Sequence, residues 1–229
     1  MGAVQVWQIP LTVSSHELQA YLQILADDER IRSQQFRFEA DRRRFIAARG
    51  RLRQLLGRCL QRPPESLCFE YGPCGKPSLS ADSKTSSWQF NLSHSQDLAV
   101  CVLAERGRVG IDLEQVRSLK QLAGLCDRCL TEREQSQLAG AERDRAFLQY
   151  WTCKEAYLKA IGLGLTQSMQ AVEVQLSPPR LLQVPQSAAW QLQLLNLPPG
   201  YVGALVIEGE AQPDFYHWQQ VQETPPKPR

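Results

Sequence analysis

A chain of 229 residues that is 43% hydrophobic can bury a sizeable core in one large domain or two small ones, and a formal net charge of +2 does not fit a disordered, highly charged chain. It contains no run of 18 apolar residues, and its opening MGAVQVWQIPLTV lacks the basic flank and small-residue cleavage site of a secretory leader, so the expectation is a soluble cytoplasmic protein with no membrane contact. Myristoylation at Gly2 is excluded by Val6, which stands where Ser or Thr is needed, and seven cysteines, an odd number in mostly apolar or helical settings, suit reduced thiols better than disulfides.

Between Asp28 and Arg62, eleven arginines face four acids, a local net of +7 in a chain whose remainder is negative. This concentration suggests a local polyanion site. Within it, DRRRFIAARGRLRQLLG reads as a long helix stopping at Gly57. Gly75 to Pro77, GKP, is a stiff turn that offers Lys76 as a phosphate contact, although most such lysines are merely surface residues. From Trp88, WQFNLSHSQDLAVCVLAERG reads as a β-hairpin with NLSHS at its turn, where Ser93, His94 and Ser95 present donors suited to a phosphate. A serine-histidine hydrolase fits poorly, since adjacent turn residues rarely align for proton transfer and there is no G-x-S-x-G elbow.

VGIDLE, Val109 to Glu114, has the alternation of a strand. Val109, Ile111 and Leu113 point one way, while Gly110, Asp112 and Glu114 point the other. Asp112 and Glu114 are then about 6.6 Å apart at Cα, twice the strand rise. Carboxylates that close repel each other unless a cation lies between them, and an oxygen-only set without Cys or His favours Mg²⁺. An isolated Asp-x-Glu pair is more often a solvated strand face. CDRC at Cys126 to Cys129 has the spacing of half a zinc site, but no second pair with metal-ligand spacing follows and none of the three histidines, His16, His94 and His217, lies close by in sequence.

Asp144 to Gly162 reads as a second long helix, capped by Gly162 and carrying an apolar stripe of Tyr150, Cys153, Tyr157, Ala160 and Ile161. Glu155 and Lys159 share another face with Trp151, whose bulk argues for partial burial and hence a site there. From Trp190, WQLQLLNLPPGYVGALVIEGE repeats the hairpin pattern, and the distances from helix-ending glycine to Trp are 31 and 28 residues in the two copies. The chain therefore reads as a doubled unit joined near AERGRVGIDLE. The fold class is α+β: two similar subdomains, 1–107 and 108–229, each a long helix on a small antiparallel sheet, related by a pseudo-twofold axis with a ligand cleft between them. The closing ETPPKPR reads as a frayed tail.

GIDLE, WTCKEAYLKAIGLGL, GKPSL and FNLSHS together resemble the 4'-phosphopantetheinyl transferases of the Sfp type. The resemblance covers Asp41 to Leu165 by motif and further by the repeat, and it implies the two-subdomain pseudo-dimeric fold. It also implies an Mg²⁺-dependent holo-[acyl-carrier-protein] synthase. Such an enzyme moves the phosphopantetheine arm of coenzyme A onto a serine of an apo acyl, peptidyl or aryl carrier protein and leaves 3',5'-ADP.

Carried over by motif, the metal ligands are Asp112, Glu114 and Glu134. Glu155, Lys159 and Asp112 are catalytic, and Arg44, Lys76, Ser93, His94 and Lys159 hold coenzyme A, with Arg37 and Arg30 as further arginines for its 3'-phosphate. The serine proton goes to Glu155 or to a metal-bound water oriented by Glu134, and both fit the same motifs. The repeat suggests that a monomer suffices. A nuclease or nucleic-acid binder built on RRRFIAARGRLR with Asp112, Glu114, Glu155 and Lys159 is the rival reading, weakened by sparse aromatic interleaving and a net charge near zero. An inactive relative that keeps only the fold is opposed by the intact acidic and basic set.

Overall fold

The computed structural model describes residues 2–80, 88–138, 140, 142–164 and 168–219, and the Pro-rich tail lies outside them. Its elements run β1 (Val4–Pro10), α1 (Ser15–Ile24), α2 (Asp27–Gln34), α3 (Glu39–Leu60), β2 (Phe69–Tyr71), β3 (Pro77–Leu79), β4 (Gln89–Ser95) and β5 (Leu98–Ala104). The same order then recurs as β6 (Val109–Gln115), α4 (Leu122–Cys129), α5 (Glu132–Ser136), α6 (Arg143–Ile161), β7 (Glu173–Leu176), β8 (Pro179–Gln183), β9 (Trp190–Leu194) and β10 (Tyr201–Glu208), followed by β11 (Asp214–His217). The α+β class and the doubled unit are both present. One sheet runs β11-β1-β5-β4, the other β6-β10-β9, and β2-β3 and β7-β8 are small separate pairs.

The repeat extends to buried charge. Glu29 precedes Arg49 by 20 residues and Glu134 precedes Lys154 by 20. Each glutamate closes the first turn of its short helix by accepting from a backbone N–H, that of Ala26 at 3.1 Å and that of Thr131 at 2.8 Å. Each also meets a buried cation from the long helix: Arg53 at 2.6 Å and Arg49 at 3.2 Å from Glu29, and Lys154 at 2.6 Å from Glu134. The device pins a short helix to a long one in both halves.

Strand alternation decides where the apolar layers lie. Val4, Val6, Val100, Val102 and Ala104 of the first sheet meet Val109, Ile111, Leu113, Leu205 and Ile207 of the second in one shared layer. On the opposite faces, Trp7, Ile9, Cys101 and Leu103 pack with Leu52, Leu55 and Leu56 of α3, while Ala204 and Val206 pack with Cys153, Ala156, Tyr157 and Ala160 of α6. α6 rides close on β6 because Gly110 has no side chain: a Cβ there would stand 2.0 Å from the Ala156 carbonyl oxygen and 2.4 Å from Ala160 N.

Three expectations change. NLSHS is not a turn but most of strand β4, and the hairpin turns after it at Gln96 and Asp97. Helix α3 runs past Gly57 to Leu60, and Gln61 at φ 54 ends it; Gly57 is needed because a Cβ would lie 2.7 Å from the Arg62 carbonyl oxygen. The basic helix is not an open phosphate-facing stripe, because Arg49, Arg51 and Arg53 are buried in pairs with Glu29, Glu17 and backbone carbonyls. In addition, β11 returns to the first sheet, pairing parallel with β1, and Tyr216 stacks on Trp7 with ring centroids 4.5 Å apart.

Gly110→Ala is expected to cost about 3 kcal/mol or more, since the new methyl meets helix backbone that cannot rotate away. Urea unfolding measures the loss, and a wild-type midpoint would contradict the close approach of α6 to β6.

Candidate active site

The site forms where β6, α6 and β4 meet. The period of β6 sends Asp112 and Glu114 to the face opposite the shared apolar layer, toward α6, whose i, i+4 pair Glu155 and Lys159 lies over it. From the other half comes β4, with polar Asn91, Ser93 and Ser95 alternating with Leu92 and His94. β4 and β6 belong to different sheets, so side chains take the place of a backbone ladder. Asn91 Oδ1 accepts from Ile111 N at 2.8 Å, and Ser95 Oγ accepts from Gln115 N at 3.0 Å. These contacts satisfy strand N–H groups that would otherwise be unpaired.

Asp112, Lys159 and Ser93 form a tight triangle. Lys159 Nζ is 2.6 Å from Asp112 Oδ1 and 3.1 Å from Ser93 Oγ, and Ser93 Oγ is 2.7 Å from the same Asp112 oxygen. Glu114 Oε2 accepts from Ser95 Oγ at 3.2 Å and from Arg117 Nη1 at 2.7 Å. Two buried carboxylate oxygens of this cluster, Asp112 Oδ2 and Glu155 Oε1, have no hydrogen-bond partner among the described residues. Desolvation raises the Asp112 pKa against the opposing pull of Lys159 and Ser93. Glu155 is pushed up to about 7 by burial first and then by the charge of Asp112.

Not every residue singled out in the sequence reaches this point. His94 stands on the opposite face of β4, its imidazole pKa lowered by partial desolvation and by the charges of Lys159, Arg44 and Arg49. Arg44 on α3 bonds Asp97 at 2.8 Å and Asp41 at 3.1 Å. Lys76 holds the Lys159 carbonyl at 2.6 Å and the Val109 carbonyl at 3.2 Å, and burial lowers its pKa to about 8. It is a tether between β6 and α6, with two of its three donors spent on those carbonyls. Arg30 is tied to Asp27 and to the carbonyls of Leu22 and Gln23, while Arg37 lies over the Phe38 ring. Trp151 packs on Phe147 in the C-terminal core.

Glu134 as a metal ligand is the clearest correction. Both its oxygens are spent, Oε2 on Thr131 N and Lys154 and Oε1 on Val174 N at 2.8 Å, inside the core of the C-terminal half. The sequence carried the signal for this role, because Thr131 to Glu134 is a T-x-x-E capping box. Asn91, Lys154, and the Glu29 cluster were also missed. Asn91 was legible in the alternation of polar residues along FNLSHS.

The donor set suits a hard cation. Two orphaned buried carboxylate oxygens, with Glu114 on the same strand face as Asp112, supply anionic oxygen that a cation would satisfy. Among the described residues no group of three or more His, Cys, Asp or Glu is arranged to hold a metal ion by itself, so a cation here would need further oxygen ligands from water or substrate.

The sequence profile of the 4'-phosphopantetheinyl transferase superfamily matches residues 108–206, and that described as 4'-phosphopantetheinyl transferase, N-terminal, matches residues 10–106. The chain is similar to 4'-phosphopantetheinyl transferase HetI of Nostoc sp., 38% identical over 94% of this chain and 92% of that one. It is 32% identical to the phosphopantetheinyl transferase of Thraustochytrium sp., over 74% and 64% of the two chains. A third relative is the L-aminoadipate-semialdehyde dehydrogenase-phosphopantetheinyl transferase of Xenopus laevis, 30% identical over 66% of this chain and 54% of that one.

Glu134→Ala is expected to destabilise the fold by about 3–5 kcal/mol because it strands a buried Lys154, and Glu134→Leu with Lys154→Met to recover most of that loss in urea unfolding. Equal loss in both variants would contradict the pair's structural role. In metal-free protein, Glu155 binds a proton more readily folded than unfolded, so its contribution to stability is present at low pH and lost as pH rises from the usual 4.5 through about 7. Glu155→Gln should therefore gain on the order of 2 kcal/mol at pH 8 and almost nothing at pH 4. An equal effect at both values would show that the carboxylate is not desolvated.

Proposed function

The chain belongs to the 4'-phosphopantetheinyl transferase superfamily, and on that premise we propose that the Asp112, Glu114, Glu155 and Lys159 cluster is where it moves phosphopantetheine from coenzyme A to a carrier protein. The transfer itself is the activity of the family. The residue roles rest on one observation: two buried carboxylate oxygens without partners stand beside a lysine at the seam of the two halves.

In this reading residues 1–107 and 108–229 supply the two subdomains, with β11 of the second stretch crossing back to the first sheet, and coenzyme A lies in the cleft where β4 faces β6. Asp112, Glu114 and Glu155 hold Mg²⁺, which when bound neutralises and aligns the pyrophosphate oxygens. Lys159 is placed to offset charge on the departing 3',5'-ADP. The carrier serine oxygen forms its bond to the β-phosphorus while the bond from that phosphorus to the bridging oxygen breaks, the electron pair leaving with 3',5'-ADP. With Glu134 committed to the core, Glu155 is the carboxylate left to accept the serine proton. His94 and Arg44 lie outside the seam, and in this reading they take the nucleotide end of coenzyme A where it extends past β4, Arg44 exchanging its aspartate partners for a phosphate.

Both halves of the repeat lie in one chain, which supports action as a monomer. No helix among the described residues is long and apolar enough to cross a membrane, and a cytoplasmic setting fits the reduced cysteines. The burial of Arg49, Arg51 and Arg53 removes the support for a nucleic-acid stripe.

With coenzyme A, Mg²⁺ and a panel of apo acyl, peptidyl and aryl carrier domains, intact-mass analysis is expected to show addition of the phosphopantetheine arm to at least one carrier. Asp112→Ala should lower that rate at least about 100-fold while leaving the circular dichroism spectrum unchanged. Wild-type turnover in this variant would remove the metal and catalytic assignments.

A further inference from the structure

The hydroxyl of Ser93 has only one proton, and the structure accounts for it. Ser93 Oγ lies 2.7 Å from Asp112 Oδ1, which as a carboxylate oxygen can only accept, and 3.1 Å from Lys159 Nζ, which can only donate. The hydroxyl therefore gives its proton to Asp112 and takes one from Lys159. Nothing remains to donate to a phosphate oxygen, which is what a coenzyme A contact would require. Ser93 is also buried, at 7% exposure, and belongs to the half opposite the one that supplies Asp112 and Lys159.

We propose that Ser93 is a positioning residue rather than a substrate contact: it fixes the Asp112 carboxylate from across the seam, so that Oδ1 is spent on protein donors and Oδ2 stays open for the metal ion. The inference rests on the reading of Asp112 as a metal ligand. Two donors on one oxygen, Ser93 and Lys159, oppose rotation of the carboxylate, whereas a lone Lys159 on a flexible stem would allow either oxygen to turn toward it. Asn91 and Ser95 serve the same end by holding the β6 backbone on either side, at Ile111 N and Gln115 N. The outer partners of metal ligands act in this way, and their loss typically costs about 10–100-fold in metal affinity or activity.

The test separates metal dependence from coenzyme A binding. In Ser93→Ala, the Mg²⁺ concentration giving half-maximal turnover is expected to rise about 10-fold or more, while the dissociation constant for coenzyme A measured calorimetrically without metal stays within about twofold of wild type. Ser93→Thr keeps the hydroxyl on a strand that accepts β-branching and should restore the wild-type metal dependence. Ser93→Cys has nearly the same shape but a weak donor, so it should behave like the alanine variant if that variant does not fold. Weakened metal-free coenzyme A binding with an unchanged Mg²⁺ requirement would overturn the proposal and return Ser93 to the substrate. An Asp112→Ala enzyme with full activity would instead overturn the reading of the site. Loss of activity in Asp112→Ala alongside wild-type metal dependence in Ser93→Ala and Ser93→Cys would overturn the Ser93 proposal alone.

Discussion

The seam between β4 and β6 is the constraint on which the rest depends. Two sheet edges from different halves approach without a backbone ladder, and Asn91, Ser93 and Ser95 supply in side-chain atoms the acceptors and donors that a neighbouring strand would have offered. That arrangement leaves room for side-chain chemistry between the strands, which a hydrogen-bonded pair would close. Asp112 is held there, buried enough to be raised in pKa and anchored through one oxygen only. The cost of such burial is acceptable only if a cation completes the site.

Duplication explains how one half came to carry that chemistry while the other keeps the frame. β1 and β6 hold corresponding places beside β5 and β10, and the fourth residue of each strand is Trp7 in one and Asp112 in the other. Trp7 is core, stacked on Tyr216 of the returning strand β11. The capping glutamates Glu29 and Glu134, with their buried cations, were kept in both halves because each pins a short helix. Closeness differs too: Gly110 lets α6 come down on β6 and carries Glu155 and Lys159 within reach of Asp112, whereas bulky Trp7 and Ile9 separate β1 from α3.

Much of this was legible in the order of residues. Period-2 alternation placed Asp112 and Glu114 on one face, period-3.6 placed Glu155 and Lys159 on another, and the two Trp-led hairpins marked the repeat. What failed did so where a short motif had two physical meanings. The Asn and Ser content of NLSHS suggested a turn, but the alternation of Phe90, Leu92 and His94 with polar residues belongs to a strand. Glu134 looked like a third ligand by order along the chain, yet the T-x-x-E box already gave its carboxylate a backbone partner. The eleven arginines suggested an open basic surface, but sequence cannot show that Arg49, Arg51 and Arg53 turn inward to Glu29, Glu17 and loop carbonyls. Nor could it show Lys76 spent on two carbonyls, because those acceptors are 33 and 83 residues away.

The most direct measurement is a crystal structure with Mn²⁺ in place of Mg²⁺ and 3',5'-ADP in the cleft, with the metal located by its anomalous signal. The expected result is one peak within coordinating distance, about 2.0–2.3 Å, of Asp112 Oδ2 and a Glu155 oxygen, with Glu134 still bound to Lys154. A peak on Glu134, or a nucleotide bound in the cleft with no metal between Asp112 and Glu155, would contradict it.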